Sequence, residues 1–89
     1  MNGRYRVELA ESARRDLKKV SPQVKEEILA AIEELADGPR PVGCRKVRGA
    51  DAYRIRVGAY RVIYQVFDVR LVVMVVRVGH RREVYRGFG

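Results

Sequence analysis

The fold of this chain is decided by the stretch YRIRVGAYRVIYQVF, which covers residues 53–67. Its first five residues alternate between apolar side chains and arginines, and this two-residue period predicts a strand with one apolar and one basic face. Gly58 then begins a tight turn. The eight residues after the turn are apolar on both sides apart from Arg61 and Gln65, which favours a strand in the centre of a sheet. The stretch therefore predicts an antiparallel hairpin that carries arginines on one face.

Other periodic patterns surround this hairpin. In the longer of two helical segments, Ile28 and Ile32 recur at helical spacing, Ser21 and Pro22 mark the start, and Gly38 follows the end. We predict an α+β fold of order β-α-α-β-β-β, in which a helical hairpin packs on one face of a small, mainly antiparallel sheet. The predicted strands are residues 4–9, 53–57, 60–67 and 71–78, the predicted helices are Ser12–Val20 and Pro22–Ala36, and residues 79–82 are expected to leave the sheet.

Length and composition exclude several classes of protein. A chain of 89 residues is expected to form one small domain, residues 1–89. The longest apolar run, residues 71–76, is far shorter than the roughly 18 residues of a membrane span, and no apolar segment typical of a secretion signal follows the N-terminus. Cys44 has no partner for an internal disulfide, and one cysteine with one histidine falls short of a four-ligand zinc site. We therefore expect a cytoplasmic protein with no metal, no other cofactor and no membrane partner.

The net charge of +8 lies entirely in the second half of the chain. Residues 1–44 carry eight basic and eight acidic side chains, whereas residues 45–89 carry eleven basic and three acidic ones, and ten of those eleven are arginines. The planar guanidinium group matches phosphate oxygens in pairs. This clustering favours a nucleic-acid partner over an acidic protein partner or a merely solvated surface.

Several of the basic residues are expected to converge on one side of the sheet. Residues two apart in a strand share a face, and a tight hairpin register brings the next strand's arginine beside them. Residues from the end of the chain are expected to close the same concavity. Such a set suits metal-independent cleavage of RNA, because guanidinium groups stabilise the charge that develops when a 2′-hydroxyl attacks the neighbouring phosphate. The predicted set consists of Arg54, Arg56, Arg61, His80, Arg81 and Tyr85.

This reaction also needs a group that removes the proton of the 2′-hydroxyl and one that protonates the leaving 5′-oxygen. Guanidinium does not lose its proton near neutrality, so the arginines do not serve as the base. His80 is the first candidate, because an imidazole exchanges a proton near neutral pH. Tyr85 is the second candidate, if neighbouring arginines make its hydroxyl more acidic.

Each of these residues also has a purely structural interpretation. Alternating arginines on a strand commonly form a solvated face, and a histidine at a strand end is often only a surface residue. Arg61 can be held by a salt bridge to Asp51 or Asp68, and Arg77 can face an acidic partner. The residue patterns alone leave these alternatives open.

Four short motifs carry a resemblance to a known family. They are KVRG at residues 46–49, YRIRVG at 53–58, YRVIY at 60–64 and VGHRREVY at 78–85. Their order and spacing resemble the RelE branch of the RelE/ParE toxin superfamily, over nearly the whole chain. The resemblance implies a prokaryotic toxin of a type II toxin–antitoxin pair that enters the ribosomal A site and cleaves mRNA, which leaves 2′,3′-cyclic phosphate and 5′-hydroxyl ends.

The resemblance also implies roles for individual positions. Arg61 and Arg81 match the family's phosphate-binding arginines, Tyr85 matches its C-terminal tyrosine, and His80 lies where many relatives have a basic or histidine residue. RelE has lysines at the positions of the paired strand arginines of this chain, so the base stays open between His80 and Tyr85. The predicted catalytic residues are Arg61, Arg81, Tyr85 and His80, and the predicted substrate-binding residues are Arg54, Arg56, Arg48, Lys46 and Arg82.

The implied partners are a RelB-like antitoxin and a ribosome that carries mRNA. Acidic or amphipathic antitoxin segments are expected to cover the basic half, either by blocking entry to the ribosome or by displacing Tyr85. Two other functions compete with RNA cleavage, namely ParE-type inhibition of DNA gyrase and a catalytically silent antitoxin-binding module. The combination of Arg61, Arg81 and Tyr85 favours RNA cleavage over gyrase inhibition.

Overall fold

The computed structural model describes residues 4–80, which form a five-stranded sheet with two helices on one face. The strand order is β1-β5-β4-β3-β2, in which β1 runs parallel to β5 and the other neighbours are antiparallel. The predicted α+β architecture is confirmed, with β4 in the centre of the sheet. The elements are β1 (Arg6–Leu9), α1 (Glu11–Lys18), α2 (Pro22–Glu34), β2 (Arg45–Lys46), β3 (Tyr53–Val57), β4 (Tyr60–Phe67) and β5 (Val72–His80).

The structure differs from the predicted order at two places. The two-residue strand β2 pairs with the start of β3 and adds a fifth strand, which is too short to leave a period in the sequence. The expectation that Gly79 and His80 leave the sheet is wrong, because they pair with Arg61 and Tyr60 of β4. The helix ends differ from the predicted ones by one or two residues, as helix boundaries commonly do.

The main core lies between the helices and one face of the sheet. Ile28 and Ile32 of α2 pack against Val62 and Tyr64 of β4, and all four side chains are buried. The Tyr64 hydroxyl donates a 2.6 Å hydrogen bond to the carbonyl of Pro39. Burial raises the pKa of this hydroxyl above its ordinary value, so it remains a donor. The alternation along β4 therefore directs every second residue under the helices.

A smaller apolar cluster lies on the opposite face of the sheet. Ile63 of β4, between the two core residues of that strand, packs with Val47 and Ala52 of the connection between β2 and β3. This connection folds back on itself, since the Val47 amide donates a 2.9 Å hydrogen bond to the Ala52 carbonyl. The connection covers one part of this face and leaves the remainder to the polar side chains of β3 and β4.

The outer edge of β5 has two kinds of neighbour. β1 pairs with its first part, up to residue 75. Beyond that point α1 replaces the missing strand: the Ser12 hydroxyl donates a 2.5 Å hydrogen bond to the Val76 carbonyl, and the Asp16 carboxylate accepts the Val78 amide proton at 2.8 Å. The same carboxylate oxygen accepts from Arg77 Nε at 2.8 Å, which identifies the acidic partner of that arginine. Side chains of α1 thus satisfy a strand edge that would otherwise lack partners.

A network around Arg40 holds the loop after α2. Its guanidinium group binds the two carboxylate oxygens of Asp68 at 3.2 and 2.9 Å, and it lies 5.2 Å from the centre of the Tyr53 ring. The Tyr5 hydroxyl donates a 2.6 Å hydrogen bond to the same carboxylate. The bond from Arg40, followed by that from Tyr5, lowers the pKa of Asp68 to about 2. Asp68, one of the two carboxylates considered for Arg61, is thus engaged by Arg40 and Tyr5.

We expect Asp16→Ala to lower the free energy of unfolding by about 2 kcal/mol, because the buried Val78 amide and the Arg77 guanidinium both lose an acceptor. Asp16→Asn keeps an oxygen for the Val78 amide and loses the charge, so its expected cost is about 1 kcal/mol. Urea titrations followed by circular dichroism measure both values. Glu27→Ala removes an exposed carboxylate from α2 and is the control, with an expected change below about 0.5 kcal/mol. Equal values for the Asp16 and Glu27 variants would contradict the proposed support of the β5 edge.

The depressed pKa of Asp68 predicts a pH dependence of stability. A carboxyl group whose pKa is lower in the folded state stabilises the fold above its unfolded pKa of 3.8, and this contribution is lost as the pH falls toward 2. Asp68→Asn should therefore be less stable than the original chain above about pH 4 and equal to it near pH 2. Urea titrations between pH 2 and 6 measure the difference. Asp51→Asn, which changes a carboxylate without an ion pair in residues 4–80, should show no such convergence.

Candidate functional site

On the face of the sheet opposite the helices, four arginines of β2, β3 and β4 come together in the described chain. The register places Arg56 of β3 directly opposite Arg61 of β4, and Arg45 of β2 directly opposite Arg54 of β3. Residues paired across antiparallel strands project to the same side, as do residues two apart in one strand. This is the side on which Ile63 packs. We call Arg45, Arg54, Arg56 and Arg61 the arginine face.

The arginine face concentrates like charge. Within residues 4–80, no carboxylate lies within salt-bridge distance of Arg45, Arg54 or Arg56. Like charges directly opposite each other in a sheet destabilise it, so the stability of the fold does not explain this arrangement. Binding of an anion with several oxygens explains the arrangement, because each guanidinium group can bind two of those oxygens. By contrast, Arg4, Arg6, Arg40 and Arg77 each bind a carboxylate.

A groove of about 480 Å³ lies beside the arginine face. It opens between α2, the loop at residues 41–43 and the outer edge of β3, and its lining includes Arg45, Arg54 and Arg56. Because β2 pairs with only the first two residues of β3, the β3 edge beyond them has no strand neighbour in the described chain. Three of the four arginines therefore border a concave surface.

His80 lies on the other side of the sheet. It is paired with Tyr60, and the two rings meet edge to face with their centres 6.0 Å apart. Tyr60 packs against the core beneath the helices, so the imidazole also lies on the helix side. The expectation that His80 closes the arginine concavity is wrong, because strand residues alternate and Gly79 is the residue opposite Arg61.

The His80 ring borders a second, smaller cleft. Its volume is about 230 Å³, and it opens between the C-terminal end of α1 and the end of β5. We call it the α1–β5 cleft. Its lining consists of Asp16, Lys19, Val20, Tyr60, Arg77, Gly79 and His80.

The remaining predicted site residues fall into two groups. Lys46 and Arg48 are exposed; Lys46 follows Arg45 in β2 and alternates away from the arginine face, while Arg48 lies in the connection that covers Ile63. The second group lies outside the described residues and consists of Arg81, Arg82 and Tyr85. Sequence reasoning missed Arg45, because only the pairing of β2 with β3 places it beside Arg54.

Among residues 4–80, no three His, Cys, Asp or Glu side chains come together in a way that would hold a metal ion. None of the helices in this part of the chain has the length and apolar character needed to cross a membrane.

A comparison with known families agrees with this fold. Residues 7–85 match the sequence model of a family described as the ParE toxin of the type II toxin–antitoxin system parDE. The chain therefore belongs to the RelE/ParE family of type II toxins.

The relatives place the chain in the RelE branch of that family. The toxin RelG of Mycobacterium tuberculosis is 39% identical over 88 residues, which cover 92% of this chain and 97% of the relative. The mRNA interferase toxin RelE of Escherichia coli K12 is 35% identical, with 91% and 90% covered. In the archaeal RelE–RelB complex of Pyrococcus horikoshii, the matching chain superimposes with a TM-score of 0.79 at 26% identity, over 91% of this chain and 99% of that one. The matching family model carries the ParE name, but these relatives are RelE-type toxins.

The like charges of the arginine face predict an unusual response of stability. Arg56→Gln removes one of two guanidinium groups that lie directly opposite each other, so we expect the free energy of unfolding to stay constant or rise by about 0.5 kcal/mol at low salt. Urea titrations at 20 and 500 mM salt measure this gain, which should shrink at high salt because screening weakens the repulsion.

The matched control for this experiment is Arg70→Gln. Arg70 is exposed and lies in the turn between β4 and β5, away from the arginine face. Its substitution removes the same charge and should not give the salt-dependent gain. A destabilised Arg56→Gln protein would contradict the interpretation of Arg56 as a residue kept for a ligand.

Proposed function

We propose that this protein is the toxin of a RelBE-type toxin–antitoxin pair and a ribosome-dependent endoribonuclease that cleaves mRNA in the A site. One observation carries the proposal: four arginines share one face of the sheet, and Arg56 lies directly opposite Arg61. The relative in E. coli is named an mRNA interferase, which supports RNA as the substrate. Action on the ribosome would place the protein in the cytoplasm of a prokaryotic cell.

The proposed reaction is an attack within the RNA itself. The 2′-hydroxyl oxygen forms a bond to phosphorus while the bond from phosphorus to the 5′-oxygen breaks. One proton leaves the 2′-hydroxyl and another is delivered to the 5′-oxygen, so the products are a 2′,3′-cyclic phosphate and a 5′-hydroxyl. No oxidant, reductant or further reactant takes part.

The arginine face supplies the positive charge for this reaction. Arg56 and Arg61 are placed to bind the two non-bridging oxygens of one phosphate, and Arg54 and Arg45 continue the surface along the backbone of the RNA. Charge on those oxygens grows in the transition state, where preorganised cations stabilise it more than in the ground state. Guanidinium groups therefore fill the role that a metal ion fills in other nucleases, and we propose a metal-independent reaction.

The described residues of the arginine face do not account for proton transfer. Arginine does not act as a base, and His80 lies on the helix side of the sheet. We assign the transfer to Tyr85, and phosphate binding also to Arg81; both lie outside the described residues, and the family resemblance supports the assignment. A site with strong charge and few proton carriers depends on a substrate held in a reactive geometry. This argument supports dependence on the ribosome, which orders mRNA in its A site.

The proposed partner is a RelB-like antitoxin. The P. horikoshii relative was solved as a RelE–RelB complex, which supports such a partner here. An acidic antitoxin segment on the arginine face would neutralise Arg45, Arg54 and Arg56, which have no carboxylate within salt-bridge distance in residues 4–80. It would also exclude mRNA phosphates from the same surface. Displacement of Tyr85 is the alternative route of inhibition.

The deciding experiment is mRNA cleavage on programmed ribosomes with a vacant A site. The original chain should cut in the A site and leave cyclic phosphate ends. Arg61→Ala and Arg81→Ala should lower the single-turnover rate by at least about a hundredfold, since each loses a charged contact to the phosphate. Tyr85→Phe should lower it by about as much, because it removes the proton carrier and leaves the ring in place. Primer extension maps the cuts, and treatment of the ends identifies the cyclic phosphate.

Arg70→Ala is the matched control, since it removes an exposed arginine from the far end of the sheet and should cut at the original rate. Folding of every variant is checked by circular dichroism. If the folded original chain makes no cuts but arrests cells with a DNA-damage response, the protein is a gyrase inhibitor. If it arrests no cells at all, it is a silent antitoxin-binding module.

A further inference from the structure

The α1–β5 cleft contains chemistry that the proposed cleavage does not use. The exposed side chains of His80 and Lys19 stand at its opening, and Tyr60 forms part of its wall. None of these three belongs to the arginine face. The cleft is therefore a second concave surface at the same end of the sheet.

Its charge balance favours an anionic ligand. The Asp16 carboxylate is engaged by Arg77 and by the Val78 amide, each at 2.8 Å, and it is only 14% exposed. This ion pair neutralises both side chains. Lys19 is then the remaining fixed charge of the lining.

The aromatic pair favours a planar group. The rings of Tyr60 and His80 are nearly perpendicular, at 79°. In this geometry each ring covers little of the other's surface, so the exposed imidazole keeps a face on which another ring can stack. A cation beside a stacking surface is the combination that single-stranded nucleic acid requires.

The cleft and the arginine face lie on opposite sides of the sheet at the same end of β4. Tyr60 and Arg61 are consecutive residues of β4 and project to opposite sides. Their partners in β5 are His80 and Gly79, and both of these residues line the cleft. An RNA strand that places a phosphate on Arg61 would have to pass only this end of the sheet to reach the cleft.

We propose that the α1–β5 cleft binds one nucleotide of the same mRNA, a short distance from the cut bond, with its base against His80 and Tyr60 and its phosphate near Lys19. The inference rests on the proposed function and adds a subsite to it. Such a subsite would make cleavage depend on the nucleotide at one flanking position, because the stacking strength differs among bases.

The test combines mRNAs that lack one base with a toxin variant that lacks the His80 ring. Single-turnover cleavage on programmed ribosomes is measured with mRNAs that carry one abasic nucleotide at successive positions on either side of the cut. For the original chain, one position should raise the toxin concentration for half-maximal rate by about tenfold, which corresponds to the loss of one stacked base. In His80→Ala, the abasic nucleotide at that position should cost less than about twofold, since the ring on which it stacks is gone.

Lys19 and Lys18 provide a matched pair for the charge. Both are exposed and adjacent, and Lys18 does not line the cleft. Lys19→Ala should raise the half-maximal concentration about fivefold and reduce its salt dependence, as the loss of one phosphate contact does. Lys18→Ala removes the same charge and should leave both unchanged. His80, Lys19 and Lys18 are exposed, so we expect all three variants to fold like the original chain. Circular dichroism verifies that they do.

The outcomes separate the subsite from the proposed function. Suppose that the original chain cleaves mRNA, and that the abasic nucleotide raises the half-maximal concentration equally for the original chain and for His80→Ala. This result would overturn the subsite and leave the proposed nuclease function intact. Higher half-maximal concentrations for both cleft variants, without coupling to any mRNA position, would overturn it as well and assign the cleft to ribosomal RNA. Absence of cleavage by the original chain would instead contradict the proposed function.

Discussion

The register of the β3–β4 hairpin is the constraint on which the rest of the site depends. Gly58 adopts a φ of +61°, which glycine reaches more readily than residues with a Cβ, and this allows a two-residue turn between the strands. The turn fixes Arg56 opposite Arg61. A slip of β3 by one residue against β4 would turn Arg56 toward the apolar core and bring Ile55 to the surface, at a cost far above the repulsion of two exposed guanidinium groups. The core thus holds like charges together.

The same alternation places the arginine face on one side of the sheet and His80 on the other. Helix α1 contributes to this arrangement through its contacts with β5. β1 is too short to pair with the whole of β5, and the helix that follows it supplies Ser12 and Asp16 to the remaining edge. β5 can therefore continue to His80 as a regular strand. The contacts of α1 thus pair the outer edge of β5 at residues 76 and 78, while β4 pairs with the inner edge as far as His80. The ion pair of Asp16 with Arg77 consequently acts on the position of the cleft as well as on stability.

The sequence predicts the layers of this fold well and its contacts poorly. Alternation in residues 53–67 is strong because one face of each strand is buried, and the hairpin and the central position of β4 follow from it. Strand β2 has two residues and no period, so Arg45 could not be placed beside Arg54 in advance. The error at His80 has a different origin. The apolar run ends at Val78 and predicts that residues 79–82 leave the sheet, whereas pairing with Arg61 and Tyr60 keeps Gly79 and His80 in β5 and fixes the side on which His80 lies.

Under the proposed function, the position of the arginines also affects which RNA is cleaved. A nuclease with a base beside its cations would cleave any single strand that reached it, because charge and proton transfer would act together on a flexible substrate. In the described part of this chain the imidazole and the arginines lie on opposite sides of the sheet. Phosphate binding by these arginines confers affinity for all RNA but little rate on any of it. The proton transfer assigned to Tyr85 is effective only where the 2′-hydroxyl is held in line with the leaving oxygen, and under the proposed function the ribosome holds it there.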